Sequence, residues 1–267
     1  MSFELVFKKA RPVSFLYSPR LLLEARILVV FTTRQGGMSP PPFDSLNLGL
    51  HVGDRRENVL KNRRLLLSGL NLDINALTTA EQVHGNLPVV VDEGLVGRGV
   101  ESYEDSILGA DALITDLGDV PLALFFADCV PVVLAEPIKR CIALIHAGWR
   151  GIVGDIIAES TSMLVNTFKV EPADLLAFIG PSIGPCCYEV SGARLKEFQS
   201  KFGSVFTNGK IDLPACAAKQ LTEAGILPER IVKANICTSC RHDIFFSYRK
   251  AQVTGRHGGL VVLLEKE

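Results

Sequence analysis

The sequence predicts a mixed α/β (α+β) fold in a single domain spanning residues 1–267. Three observations carry this reading. Short Val/Ile/Leu-rich runs bounded by Pro and Gly, such as Leu122–Ala127 and Cys141–Ile145, have the pattern of buried strands. Ile152, Val153, Ile156, Ile157, Met163, Leu164 and Phe168 instead follow i, i+3, i+4 spacing, the mark of a helix with a wide apolar face. No repeat, low-complexity segment or linker divides the chain, whose length one large core can serve.

Composition narrows the function. Hydrophobic residues make up 48% and charged residues 21%, the balance of an ordinary soluble protein. A net charge of −1 offers no general attraction to nucleic acid or anionic lipid, so neither is an expected partner. No apolar run approaches the roughly 18 residues that suggest a membrane span. The start, MSFELVFKKARPVSF, lacks the order of a signal peptide, and the expected location is the cytoplasm. Seven cysteines, unevenly spaced in such a chain, read as reduced thiols rather than a disulfide framework.

In order along the chain, residues 1–31 read as one or two strands ending in Ile27–Phe31. Thr32 to Gly53 is a long loop, and its aromatic and leucine content favours an ordered loop near a site over disorder. Asp54 and Glu57 stand in an N-cap/N3 relation, predicting a helix over about 55–68 that Gly69 ends. Glu81–Gly85 is a polar cluster opening onto a strand at 88–91, and 94–105 is a Gly-rich connection. A strand within 109–116 leads to the central pair, 122–127 and 130–135, which a Pro137 turn returns as 141–145. The helix after Gly151 presents its free N–H groups to any anion beside HAGWRG. Leu175–Ile179 is a strand ending in Gly180–Glu189, Asp212-Leu213-Pro214 opens a helix that Gly225 closes, and 260–264 is a terminal strand.

The chemistry concentrates at the strand ends. Cys129 and His146 lie 17 residues apart, room for a hairpin that returns the imidazole to the thiol. With His84 they form a set of two imidazoles and one thiolate, which leaves a fourth tetrahedral position open, as in catalytic zinc sites. Such an ion lowers the pKa of its water to about 7. The plainer alternative is a polar loop histidine and a buried structural thiol. Asp128 is either an orienting or proton-accepting carboxylate or a solvated strand end. Arg34 and Arg150, each beside glycine, suit a two-pronged grip on phosphate or carboxylate, and Arg249 sits in an aromatic group. Cys237-Thr-Ser-Cys240 is a CxxC without a partner pair, a weak metal signal, and Cys186-Cys187 read as free thiols near a turn. Cys129 with His146 as its base also permits a metal-free cysteine hydrolase, and a ligand-sensing module without turnover stays open.

FTTRQGGMS at 31–39, SLNLGLHVGD at 45–54, EQVHG at 81–85, ADCVPVVL at 127–134, HAGWRG at 146–151, IGPSIGPCCYEV at 179–190 and CT…FFSYR…TGR from Cys237 to Arg256 together resemble the YfiH family. This laccase-domain, or polyphenol-oxidase-like, family includes multifunctional purine nucleoside phosphorylases, and the resemblance covers about 27–264. It implies a layered α/β/β/α domain with mixed sheets, similar to the catalytic domain of cytotoxic necrotizing factor. It implies Zn2+ held by His84, Cys129 and His146, phosphorolysis of adenosine, inosine, guanosine and methylthioadenosine, and adenosine deamination. Asp128, Cys129, His146 and Arg34 are then the candidate catalytic residues; Arg34, Asn47, Gln82, Arg150 and Arg249 are the candidate contacts to nucleoside and phosphate. A monomer or small homo-oligomer is expected. Copper is the alternative ion, since His2Cys also resembles a blue-copper set, but the chain has only five histidines, scattered rather than in His-x-His pairs. Editing of cell-wall peptide precursors is a further activity linked to the family. Where the family pattern has Met after TGR, this chain has His257.

Overall fold

In the computed structural model, which describes residues 3–9, 13–203, 206–207 and 210–265, the apolar runs become strands. In chain order these are β1 (Val6–Lys9), β2 (Ser14–Tyr17), β3 (Ile27–Thr32), β4 (Thr78–Thr79), β5 (Pro88–Val90), β6 (Ala112–Thr115), β7 (Leu122–Phe126), β8 (Val130–Glu136), β9 (Cys141–Ala147), β10 (Leu176–Ile179), β11 (Phe206–Thr207), β12 (Lys210–Ile211), β13 (Ile231–Lys233) and β14 (His257–Leu263). The helices are α1 (Pro19–Ala25), α2 (Arg56–Gly69), α3 (Trp149–Val153), α4 (Ile156–Phe168), α5 (Gly192–Phe202) and α6 (Leu213–Glu223). One six-stranded sheet runs β1-β2-β3-β14-β7-β4 and the other β13-β10-β8-β9-β6-β5, with β11 and β12 forming a small separate pair. Both sheets are mixed: β4 runs parallel to β7, β5 to β6 and β10 to β13, and their other pairings are antiparallel.

Alternation along the strands builds the layers, because successive side chains point to opposite faces. Val29 and Phe31 of β3, Leu124 and Phe126 of β7, and Leu144 of β9 meet in a core between the two sheets. Leu28, Val30, Ala123 and Phe125 face the other way and pack with Leu66 and Leu67 of α2. On the far side of the second sheet, Val132, Leu134, Ala143 and Ile145 pack under α4, α5 and α6 through Ile157, Phe198 and Leu221. The result is the layered α/β/β/α arrangement implied by the resemblance. Both faces of the central strands are covered, which is why they read as continuous apolar runs rather than alternating ones.

Local differences from the sequence reading have identifiable causes. Residues 3–32 contain three strands and α1, which enters through Pro19 and closes on Arg26 in the left-handed region; Met1, Ser2 and residues 10–12 lie outside the described residues. Asp54 does not cap α2. Arg55 is the N-cap residue, and Asp54 instead accepts from Ser39 Oγ at 2.6 Å and from Asn47 Nδ2 at 2.9 Å, tying down the 32–53 loop. The helix expected after Gly151 is broken in two at Gly154 and Asp155 (φ 64°), where Gln220 donates to both Ile152 O and the Asp155 carboxylate. Its first part, α3, begins ahead of Gly151 and has only five residues, so it offers no developed helix N-terminus for an anion. The amphipathic α5, anchored by Phe198 and Phe202, was not anticipated. Among the described residues, no helix is long and apolar enough to cross a membrane.

His257 opens β14 inside the inter-sheet core, stacked near Phe126 at 6.4 Å and edge-on to Phe245 at 5.4 Å. It is buried, and neither ring nitrogen has a hydrogen-bond partner among the described residues. Burial, with the charge of Arg256, pushes its pKa down to about 3. The folded chain therefore refuses a proton that the unfolded chain accepts below about pH 6.5, and stability is lost as pH falls through that window. An orphaned buried polar group costs about 1–3 kcal/mol. His257→Met should therefore raise the melting temperature by about 2–10 °C at neutral pH. The gain should widen between pH 6.5 and 4, as followed by thermal denaturation.

Candidate metal centre

The β8–β9 hairpin pairs Val130 with Ala147 and Pro131 with His146. Cys129, just before β8, and His146, near the end of β9, therefore come to the same rim of the inter-sheet layer. His84 arrives from the loop between β4 and β5, its backbone in the left-handed region at φ 62°. The donor atoms of His84, Cys129 and His146 all lie within 4.8 Å of one another. The two imidazoles meet edge-on at 4.9 Å. Gly148 makes this approach possible, since a Cβ there would sit 3.0 Å from His84 Cδ2 and 3.3 Å from Cys129 Sγ.

Asp111, fully buried, orients both histidines. Its Oδ1 stands 2.7 Å from His146 Nδ1 and accepts the His84 N–H at 3.0 Å; its Oδ2 accepts the Gly85 N–H at 2.6 Å. Burial works against its negative charge, but the His146 contact and these N–H groups outweigh it and hold the carboxyl below its usual range. A carboxylate at Nδ1 fixes the tautomer that leaves Nε2 free to ligate, an arrangement common at histidine-bound metals. Burial similarly opposes a Cys129 thiolate, yet His146 and His84 bring that thiol down to about 6. His146 is raised to about 9, the Cys129 thiolate and Asp111 overcoming the effect of burial. The trio thus carries a ready thiolate and two oriented imidazoles, a donor set that fits zinc.

Asp128 has a different task from the one its position beside Cys129 suggested. Its Oδ1 accepts from the Thr238 hydroxyl at 2.7 Å, its Oδ2 from the Arg249 N–H at 2.6 Å, and its main-chain oxygen from Ile183 N–H at 2.9 Å. With φ at 94°, it makes the corner where the chain passes from β7 in one sheet to β8 in the other. The orienting carboxylate is Asp111.

The centre opens into a cavity of about 440 Å³, within the usual size range of ligand pockets. Trp149, Tyr188 and Tyr248 give it aromatic walls, and Arg150, Arg194, Arg249 and Arg256 give it positive charge. Of the residues proposed from sequence, Gln82, Asp128, Arg150 and Arg249 line it with the three ligands. The Gln82 amide is already engaged on both sides by the Phe125 backbone, at 2.8 and 2.9 Å. Arg34 and Asn47 lie elsewhere. Arg34 donates to Asp44 O and His242 O, pairs with the Asp44 carboxylate at 3.1 Å and stacks on Phe246. Asn47 is a buried clamp whose oxygen accepts from Gly49 and Arg256 N–H groups.

Asp111, His51, Tyr188, Arg194 and Arg256 were missed. His51, Tyr188 and Arg256 stood within quoted motifs, HVGD, CCYEV and TGR, and could have been taken from them. Asp111 carried no signal beyond being a carboxylate at the mouth of an apolar strand. His51 is pushed down to about 4, first by desolvation and then by Arg256, so its ring is neutral at pH 7.

Asp111→Asn is expected to weaken zinc binding by about 10–100-fold in competition with a chromophoric chelator. Asp128→Asn should leave that affinity within about twofold while lowering the melting temperature, because the lost bonds brace a corner rather than a ligand.

The family described as multi-copper polyphenol oxidoreductase laccase matches residues 28–264. The purine nucleoside phosphorylase YlmD of Geobacillus stearothermophilus is 37% identical over 235 residues, 84% of this chain and 86% of that one. The purine nucleoside phosphorylase YfiH of Escherichia coli K12 is 33% identical over 240 residues, 87% of this chain and 92% of its own. The crystal structure of the Geobacillus YlmD superposes with a TM-score of 0.91 at 33% identity, covering 97% of this chain and 99% of that chain. A Bacillus licheniformis protein, YfiH, superposes at 0.90 with 32% identity, covering 96% and 98%. On the reach of that family match, and on relatives that align over most of both chains, this chain belongs to the YfiH/YlmD laccase-domain family.

Proposed function

We propose that this chain is a zinc-dependent purine nucleoside phosphorylase, acting on adenosine, inosine, guanosine and methylthioadenosine, with adenosine deaminase activity. Residues 1–267 would serve as one cytoplasmic catalytic domain. The observation that carries the reading is a His2Cys donor set opening onto a cavity walled by both aromatic faces and arginines. The relatives named purine nucleoside phosphorylase point to the same substrate class.

His84, Cys129 and His146 would hold zinc, which would supply Lewis acidity at neutral pH. The chain's own groups do the rest. Tyr248, 54% exposed, offers a flat apolar surface for a purine, while Trp149 and Tyr188 carry arginines on their faces. Arg256, half-buried in the cavity lining and within reach of the charges of Cys129 and Asp128, is the arginine best placed to draw phosphate. Arg249, stacked on Tyr188 and bonded to the carbonyls of Cys187 and Glu189, and Arg150, over Trp149, add positive charge along the wall. His51, neutral at pH 7, lines the same cavity and can hold a substrate through a hydrogen bond. Asp128 has both carboxylate oxygens engaged, by the Thr238 hydroxyl and the Arg249 N–H.

Two observations favour other chemistries. The family description names copper, and His2Cys suits a copper ion; yet His257 is packed in the core, leaving few imidazoles for the several ions of a multicopper oxidase. The thiolate–imidazolium pair of Cys129 and His146 would also suit a metal-free hydrolase. Zinc-loaded protein given adenosine should yield inosine without phosphate, and adenine plus ribose 1-phosphate when phosphate is added. Chelation should abolish both and zinc, not copper, restore them. Activity that survives chelation points to the hydrolase, and no turnover of any purine nucleoside sinks the proposal. Arg256→Ala should raise the KM for phosphate by about tenfold or more, the worth of a charge-assisted hydrogen bond. Arg34→Ala should leave that KM within about twofold, since its donors hold the loop rather than face the cavity.

A further inference from the structure

A second group of soft ligands stands outside the His2Cys centre. Strands β10 and β13 are parallel neighbours, with Ile179 beside Lys233, so both leave the sheet at the same end. The ladder continues past them: Ser182 bridges Cys237, Ser182 N–H donates to Ile236 O at 3.2 Å, and Thr238 N–H donates to Ser182 O at 3.0 Å. The turn after β10 carries Cys186 and Cys187, and the turn after β13 carries Cys237 and Cys240. The CxxC that has no partner in the linear sequence finds one here.

All four sulfur atoms lie within 4.8 Å of one another. Cys186 and Cys187 are each 3.4 Å from the Cys240 sulfur. A tetrahedral zinc with Zn–S bonds of about 2.3 Å requires sulfurs about 3.8 Å apart, close to this spacing. All seven cysteines are unbonded thiols, these four included. The Gly184 N–H donates to Cys237 Sγ at 3.3 Å, the kind of amide contact that stabilises a thiolate. Two cationic groups are bonded to the backbone of the cysteine loop: Arg249 Nη1 donates to Cys187 O at 3.0 Å and Lys210 Nζ to Cys186 O at 3.4 Å. Cys186 and Cys240 are exposed, which gives an ion a way in.

We propose that Cys186, Cys187, Cys237 and Cys240 form a second, structural site for a soft divalent cation, zinc by preference. Four protein thiolates complete a tetrahedron and leave no open position, so this ion fastens two loops instead of meeting substrate. Binding replaces four S–H protons by four metal–sulfur bonds and releases those protons to solvent. The loops matter to the pocket: one carries Tyr188, while the other holds Asp128 through Thr238 and leads to Arg249.

The test uses untagged full-length protein kept reduced and dialysed against metal-free buffer, with zinc counted per chain by plasma mass spectrometry. Wild type should hold two zinc ions; Cys237→Ser/Cys240→Ser should hold one, and so should His84→Ala. His84→Ala loaded with one equivalent of cobalt should show the intense thiolate-to-cobalt charge transfer of a tetrathiolate site. That spectrum decides the matter if the double serine variant does not fold. Wild type with one zinc that His84→Ala abolishes, no charge transfer, or intact-mass loss showing disulfides among these thiols in the reduced preparation would each overturn the second site. The zinc lost in His84→Ala reports on the His2Cys centre and the zinc lost in Cys237→Ser/Cys240→Ser on the four thiols, so the two sites fail separately.

Discussion

A single buried carboxylate organises the His2Cys centre. Asp111 faces the Nδ1 of His146 and accepts the backbone N–H groups of His84 and Gly85, so one charge sets the tautomer of one ligand and the position of the other. Leaving such a charge buried would be costly were its oxygens not so fully matched. The imidazole beyond it can then turn Nε2 toward Cys129. The thiol responds by ionising near pH 6 although its surroundings oppose a charge. The ligands are therefore oriented by the protein before any ion arrives, which is the form of preorganisation that makes a site both tight and specific.

The two-sheet architecture explains why such a centre sits where it does. β7 lies in one sheet and β8 in the other, and the chain changes sheets in the three residues Ala127, Asp128 and Cys129. The corner requires a left-handed backbone at Asp128, whose side chain is then fully engaged in bracing it. Cys129 is delivered to the rim of the inter-sheet core, opposite the end of β9. The cavity forms because the inter-sheet layer ends there. Its arginines are each steadied by a ring or a carbonyl, as Arg150 is by Trp149 and Arg256 by Thr254 O and Gly255 O.

The loops that border the pocket are tied together more firmly than their length suggests. The 32–53 segment is held by Asn47, Asn62 and Asp54, with Asn62 Nδ2 donating to the carbonyls of Ser45 and Asn47. The opposite wall depends on the contact between the turns after β10 and β13, where the four thiols meet. Polar side-chain clamps on one side and the backbone bonds of Ser182 to Ile236 and Thr238 on the other keep irregular backbone in register.

The sequence alone marked the long central strands and the hairpin that joins Cys129 to His146, because these follow from local periodicity, and its motifs singled out the candidate trio His84, Cys129 and His146, while the short β4 and β13 passed unmarked. It also marked α6, where the Asp212 carboxylate caps the Ala215 N–H. Tertiary structure decided the remainder. Arg34 and Arg150 look alike in sequence, each beside glycine, yet one is used up on Asp44 and His242 while the other faces the cavity. Asp111, not the Asp128 beside Cys129, reaches the His146 imidazole, since which carboxylate does so depends on cross-strand register and not on distance along the chain. The pairing of Cys186 and Cys187 with Cys237 and Cys240 arises only because β10 and β13 leave one sheet side by side. Side-chain chemistry is written residue by residue, but proximity between distant residues is a property of the packed sheets.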